Sequence, residues 1–305
     1  MSSDNSSSDP EFTVKAIPFA LVGVFIASVG AVSNFLVVYV TFRKDSELQF
    51  KCNKVIAVLA LVDGTTCVCF IKLNLSILVG WIWVDQFLCF LSELPTLFFL
   101  NVGSFLIWVA AVDRYLGLGF ALRYDGWSTS RYLTCSMAPA FMFSLCLMVS
   151  AWKNAAAGHL VPVCIPPTAF AGVSLFHWVL ASFILNVLVV ITNILAFFAS
   201  KEMSSTNLQS SSDATLVMAR RTGQSIALVG MVYVCTWLPT TTIVGLVQQL
   251  NLSPSTIFHV QLYVGWLAAF NISCNPLIYS LRSKKYARQF RKLWAKDQVV
   301  EISRI

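Results

Sequence analysis

Four stretches of this chain carry no Asp, Glu, Lys or Arg: residues 16–42, 132–152, 154–200 and 222–281. A helix of about 20 apolar residues spans the hydrocarbon core of a bilayer. Only helices and closed barrels satisfy their backbone there. The last two stretches are too long for one crossing, and their punctuation divides them. "HLVPVCIPPTAFAG" (159–172) is rich in proline and glycine and reads as a loop, and "QQLNLSPST" (248–256) separates two helices in the same way. Two further runs, around 55–80 and 87–112, are apolar apart from Asp63, Lys72 and Glu93. The expected fold is therefore an all-α membrane protein, a seven-transmembrane helix bundle. The expected spans are 16–42, 54–80, 87–116, 132–153, 174–199, 221–248 and 256–281. Charged residues make up only 11% of the chain, against about 25% in soluble domains, which excludes an ordinary soluble enzyme or binding module.

Seven spans put the two termini on opposite sides. The net charge of +7 comes from 21 Lys and Arg against 14 Asp and Glu. With the N-terminus outside, every Lys and Arg except Lys15, Lys72 and Lys153 falls in an inner segment or the tail. Basic residues concentrate in cytoplasmic loops, so the basic balance is a topology signal and implies no nucleic acid. Residues 1–15 read as a polar, disordered extracellular tail with a glycosylation acceptor at Asn5. Residues 16–281 form the membrane domain. Residues 282–305 form a cytoplasmic segment in which Tyr286, Phe290, Leu293 and Trp294 share one helical face among Lys and Arg. That pattern reads as a short amphipathic eighth helix on the inner leaflet. Two cysteines fall near outer helix ends or loops in this orientation, Cys89 and Cys164. Disulfides persist on the oxidising side, and a Cys89–Cys164 bridge is expected.

The third span ends in Asp113, Arg114 and Tyr115. Arg114 lies about 37 Å of helix beyond Cys89, at the cytosolic interface. Asp113 can hold Arg114 in a charge-assisted pair that a partner could break. The same residues can also serve as a plain interfacial anchor. Further along, "CTWLP" (235–239) places Trp237 and Pro239 in mid-helix, and "NPLIY" (275–279) places Asn275, Pro276 and Tyr279 at the end of the seventh. Proline removes a backbone hydrogen bond and kinks a helix. "LALVD" (59–63) buries Asp63, and "GAVSN" (30–34) places Asn34 in the first span. An acid inside the membrane faces the bundle and finds polar partners.

In this order and spacing, these residues resemble the rhodopsin-like (class A) G-protein-coupled receptors, from the first helix to the eighth. The resemblance implies a plasma-membrane receptor, not an enzyme. It would bind an extracellular peptide or small molecule and activate a heterotrimeric G protein through rearrangement of helices six and seven. It implies that Arg114 contacts the G protein and that Trp237 floors the ligand pocket. Asn275, Pro276 and Tyr279 would form the switch. Asp63, with Asn34, Asn271 and Asn275, would line a polar cavity that holds sodium and water; no other cofactor is implied. The chain also departs from the family pattern. The fifth helix lacks its usual proline and tyrosine, Tyr233 stands where Phe is usual, Gly103 where Ser is frequent, and Ala219 where an acid would lock helix six.

The ligand is less legible. Thr96 stands where amine receptors of the resembled family carry Asp, and Ala269 where opsins carry Lys. The charges left in the outer halves of the spans are Lys72 and Glu93. They can pair with each other, or Glu93 can anchor a cationic ligand beside Thr96, and the second reading is slightly favoured. His177, Tyr263 and Trp266 are further candidates for the pocket mouth. The competing class is a polytopic transporter or channel, which predicts charges along a path or inverted repeats with broken helices; neither is legible here.

Overall fold

The computed structural model describes residues 10–44, 46, 48, 51–79, 82–119, 129–155, 160–164, 169, 172–205, 214–247, 250 and 254–302. Asn5 and the side chains of Lys153, Ala219 and Trp294 lie outside the described residues. In chain order the elements are α1 (Pro10–Phe42), α2 (Lys51–Leu78), β1 (Ile82–Asp85), α3 (Gln86–Gly119) and α4 (Thr129–Ala155). These are followed by β2 (Leu160–Val163), α5 (Gly172–Ser205), α6 (Ala214–Val247), α7 (Pro254–Arg282) and α8 (Lys284–Ile302). The fold is a seven-helix membrane bundle with a short eighth helix. Six helices are long and apolar enough to cross a bilayer among the described residues. The seventh, α7, is diluted by His259, Gln261, Asn271, Ser273 and Asn275, and it packs between α1, α2 and α6.

Helix faces follow the 3.6-residue period. On α1, Leu21, Phe25, Val29, Val32 and Tyr39 are exposed, while Ala20, Ala27, Ala31, Asn34, Val37 and Val40 are buried. The exposed row is as apolar as the buried one, as expected where lipid is the solvent. Several helices run past the hydropathic segment. α1 starts at Pro10, so the expected boundary at residue 16 falls inside it. Proline is well suited to a first helical position, where its missing N–H costs nothing. α5 and α6 extend to Ser205 and back to Ala214, beyond the expected 199 and 221, because helical backbone continues into the interface where apolar composition no longer does.

At one end of the bundle, β1 and β2 pair antiparallel, with Ile82 opposite Val163 and Asp85 opposite Leu160. This small sheet lies where a loop was expected before the fifth helix. Asp85 then caps α3: its Oδ1 accepts from the backbone N–H of Phe87 (2.9 Å) and Leu88 (3.1 Å). Three residues into α3, Cys89 forms a disulfide with Cys164, which directly follows β2; their Cα atoms are 5.3 Å apart. Trp152 docks the end of α4 edge-on against Phe87 and Phe90, with ring centroids 5.0 and 6.1 Å away.

At the opposite end a second apolar cluster joins Val37, Leu48, Ile56, Ala110, Val229, Ile278, Tyr279 and Tyr286. Here α7 breaks at Ser283. The Ser283 carbonyl accepts from Ala287 N at 3.0 Å, which starts α8. Tyr286 is fully buried, tilted against Tyr279 at 6.2 Å, and its hydroxyl lies 3.2 Å from Thr41 Oγ1. That contact ties α8 to α1 and α7.

Candidate ligand cavity and transmission path

Two cavities lie one above the other inside the bundle. The larger, of about 740 Å³, lies toward the disulfide end between α1, α2, α3, α5, α6 and α7. Its wall is mostly apolar: Phe70, Leu73 and Ile77 from α2, Leu100 from α3, Val244 from α6, and Leu262, Val264, Ala268 and Ala269 from α7. Trp178, Trp237 and Trp266 give it an aromatic lining, and Asn74, Thr240 and Gln261 are its other polar side chains. On α7 the wall residues 261, 264, 265, 268 and 269 recur at helical spacing and make one face.

The smaller cavity, about 230 Å³, is polar. Asp63, Thr66, Ser104 and Asn271 line it together with Gly103, Phe99, Ile107 and Ile272. Trp237 and Leu100 belong to both walls, so the indole separates one cavity from the other. Asp63 is 3% exposed, and its Oδ2 accepts from Asn275 Nδ2 at 2.8 Å. Both amide atoms of Asn271 are buried without a hydrogen-bond partner among the described residues, as is Asn275 Oδ1. One carboxylate with nearby hydroxyl and amide oxygens is a hard-oxygen donor set. A Cβ on Gly103 would sit 3.5 Å from Asp63 Oδ1, so there is room beside the carboxylate.

Asn34 stands next to this cavity for a backbone reason. Pro276 has no N–H, so the carbonyl four residues earlier, that of Ile272, loses its helical donor. Asn34 Nδ2 donates to Ile272 O at 3.1 Å and to Gly30 O at 2.9 Å. Gly30 permits the approach. A side chain there would collide with Ser273 Oγ (2.2 Å from an ideal Cβ) and Cys67 Sγ (2.8 Å).

Further along α7, Tyr279 is 1% exposed and packs on Tyr286. At the same end of α3, Asp113 and Arg114 are both buried, and Arg114 Nη2 lies 2.9 Å from Asp113 Oδ2. Tyr115 is half-buried. The acid–base pair is therefore formed, with both residues buried in this end of the bundle.

The model of the serpentine type 7TM GPCR chemoreceptor family Srsx matches residues 27–294. The chain belongs to this family. Curated relatives include adenosine receptor A3 of Bos taurus, 22% identical over 293 residues, which cover 91% of this chain and 90% of that protein. Galanin receptor type 3 of Mus musculus is 24% identical over 326 residues, covering 95% of this chain and 81% of that one. The Srsx-family chain is thus a multi-pass G-protein-coupled receptor.

In this receptor, Trp237 and Trp266 reach the large cavity, and Trp266 Nε1 donates to Phe19 O at 3.1 Å. The other expected pocket residues are elsewhere. Lys72 and Glu93 meet each other: Lys72 Nζ lies 2.6 Å from Glu93 Oε1 and also donates to Ser92 O (2.7 Å) and Ser92 Oγ (2.9 Å). The pair bridges α2 and α3 and is not on the wall of the large cavity; of the two alternatives for Glu93, pairing with Lys72 is the one this geometry favours. Lys72, half-exposed, continues the exposed stripe of α2 that carries Leu61, Val68 and Leu75, and its own ammonium neutralises the carboxylate. Thr96 is fully buried beside Glu93, also off the wall. His177 and Tyr263 are exposed on the lipid side of α5 and α7. Sequence reasoning missed Asn74, Trp178, Thr240 and Gln261. A signal for Gln261 existed: stepping back from Asn275 by three and four residues gives 271, 268, 264 and 261, and Tyr263 falls outside that series.

Two indole hydrogen bonds hold α5 to α3. Trp178 Nε1 donates to Asn101 Oδ1 at 3.0 Å, and Trp108 Nε1 donates to Thr192 Oγ1 at 3.2 Å.

Proposed function

We propose that this receptor is a rhodopsin-like plasma-membrane receptor with an extracellular N-terminus. In this reading an extracellular small molecule or peptide occupies the large cavity and switches a heterotrimeric G protein on at the cytosolic end. The observation that carries the reading is the position of Trp237, in the wall of both cavities. A ligand pressing on the indole changes the shape of the polar cavity below, and with it the Asp63–Asn275 hydrogen bond. Asn275 precedes Pro276, where the α7 ladder is interrupted, so the segment carrying Tyr279 moves at low cost. Pro239 gives α6 the same freedom two residues from Trp237. Arg114, released from Asp113, then meets the G protein.

The polar cavity fits a monovalent cation. Asp63 would supply the charge, and Thr66, Ser104 and Asn271 neutral oxygens; sodium there would favour the resting arrangement. The boundaries 1–15, 16–281 and 282–305 serve as functional divisions, with the start of α1 moved to Pro10. The two relatives are named for adenosine and for galanin, so their names support a receptor for a diffusible ligand without fixing its chemistry. The family match favours this reading over a transporter or channel.

The test is a G-protein activation assay in cells, run with a metabolite and peptide library. An activating ligand should work on the wild-type chain and lose all effect on Arg114→Ala at matched surface level. Full signalling by Arg114→Ala refutes the assigned role.

A further inference from the structure

Among the described residues, most polar side chains on the wall of the large cavity have an internal hydrogen bond, and Gln261 is the one whose donor and acceptor are both buried without a partner. Asn74 Nδ2 donates to Phe70 O at 2.8 Å, and Thr240 Oγ1 to Thr236 O at 2.7 Å. The indoles of Trp178 and Trp266 donate to Asn101 and Phe19. Gln261 differs. It is 7% exposed, and neither its Oε1 nor its Nε2 has a hydrogen-bond partner among the described residues. A carboxamide held away from water without a partner is costly, and its retention at a cavity wall asks for an occupant that supplies the missing bonds. The cavity carries no formal charge, because Lys72 and Glu93 neutralise each other off its wall.

We propose that Gln261 is the polar anchor of the large cavity, and that the cavity takes an uncharged, mainly apolar small molecule bearing one donor beside one acceptor, as in a primary amide or lactam. The Gln261 carboxamide presents an acceptor and a donor in one plane, so a complementary edge makes two hydrogen bonds with it. A carboxylate offers acceptors only and an ammonium donors only. Each satisfies half of Gln261 and brings an unneutralised charge into an apolar wall. The three wall indoles suit an aromatic or aliphatic body. The inference rests on the proposed function only in taking this cavity as the ligand site.

The test uses the full chain in lipid nanodiscs at neutral pH, without G protein. The probes are 4-phenylbutanamide, 4-phenylbutanoate and 4-phenylbutylammonium, which share one body and differ in the polar end. Binding is read from tryptophan emission, since Trp178, Trp237 and Trp266 line the wall. The amide should bind saturably, and the two ions at least about tenfold more weakly. Gln261→Leu should erase that preference, and the ligand-free variant should melt at a higher temperature because an unpartnered group is gone. Failure of the amide to bind saturably overturns the ligand class. So does equal binding of either ion, or retention of the amide preference in Gln261→Leu. A lower melting temperature for that variant overturns the claim that the carboxamide is unsatisfied. Because no G protein is present, these outcomes are independent of the Arg114→Ala result.

Discussion

Pro276 and Asn34 are joined through one carbonyl, and this makes a quantitative prediction. Ile272 O would ordinarily accept from the N–H at position 276, and proline has none. Asn34 Nδ2 takes that place at 3.1 Å, inside a contact where Asn34 is fully buried. Asn34→Ala leaves the carbonyl of Ile272 unpaired. The second Asn34 bond, to Gly30 O, contributes less, because Gly30 O also takes part in the α1 ladder. An offset comes from Asn34 Oδ1, a buried acceptor without a donor, which the substitution removes. Hydrogen bonds between membrane helices contribute about 0.6–2 kcal/mol, so the net loss should be about 1 kcal/mol. In a Pro276→Ala background the helix supplies its own N–H to Ile272 O, and Asn34→Ala should then cost almost nothing. The unfolding free energy of the four variants in lipid bicelles gives the coupling directly. A value near 1 kcal/mol is expected. Equal losses from Asn34→Ala in both backgrounds refute the shared-carbonyl argument.

Two further perturbations follow from the disulfide end. Glu93 is almost fully buried and Lys72 half exposed, so Lys72→Met strands a buried carboxylate and should cost about 3 kcal/mol. Glu93→Gln should cost less, and the exchange Lys72→Glu with Glu93→Lys should restore surface expression relative to either single reversal; no restoration in the exchange rejects the pairing as the structural role. The Cys89–Cys164 link closes a separation of 75 residues. Non-reduced peptide mass spectrometry should find it, and Cys89→Ser, Cys164→Ser and the double variant should each lose the same stability, about 2–4 kcal/mol. Additive losses would mean that the two sulfurs act separately.

The sequence alone determined much of this protein, because the bilayer is a demanding solvent. Uncharged length specified the crossings. Cys89 and Cys164, near helix ends or loops, indicated the bridge, and proline and glycine divided the long runs. Asp63 was legible as an interior residue because an acid inside a membrane needs polar partners, and Asn275 is one of them; Asn34 instead bonds the backbone carbonyls of Gly30 and Ile272. What the sequence could not give was helix rotation and close pairing. In water, the apolar face of a helix marks the core. In lipid, the exposed stripe of α1 or α7 is as apolar as the buried one, so Tyr263 and Gln261 could not be assigned to opposite faces by hydropathy. The same holds for Lys72 and Glu93, whose neutralisation depends on how α2 and α3 are turned. The β1–β2 pairing also needed tertiary structure, since the strands are 78 residues apart from Ile82 to Leu160. The Asn34–Ile272 bond needed it most. Its two halves lie in the first and seventh helices, and only the close approach at Gly30 brings the amide to the carbonyl that proline left unpaired.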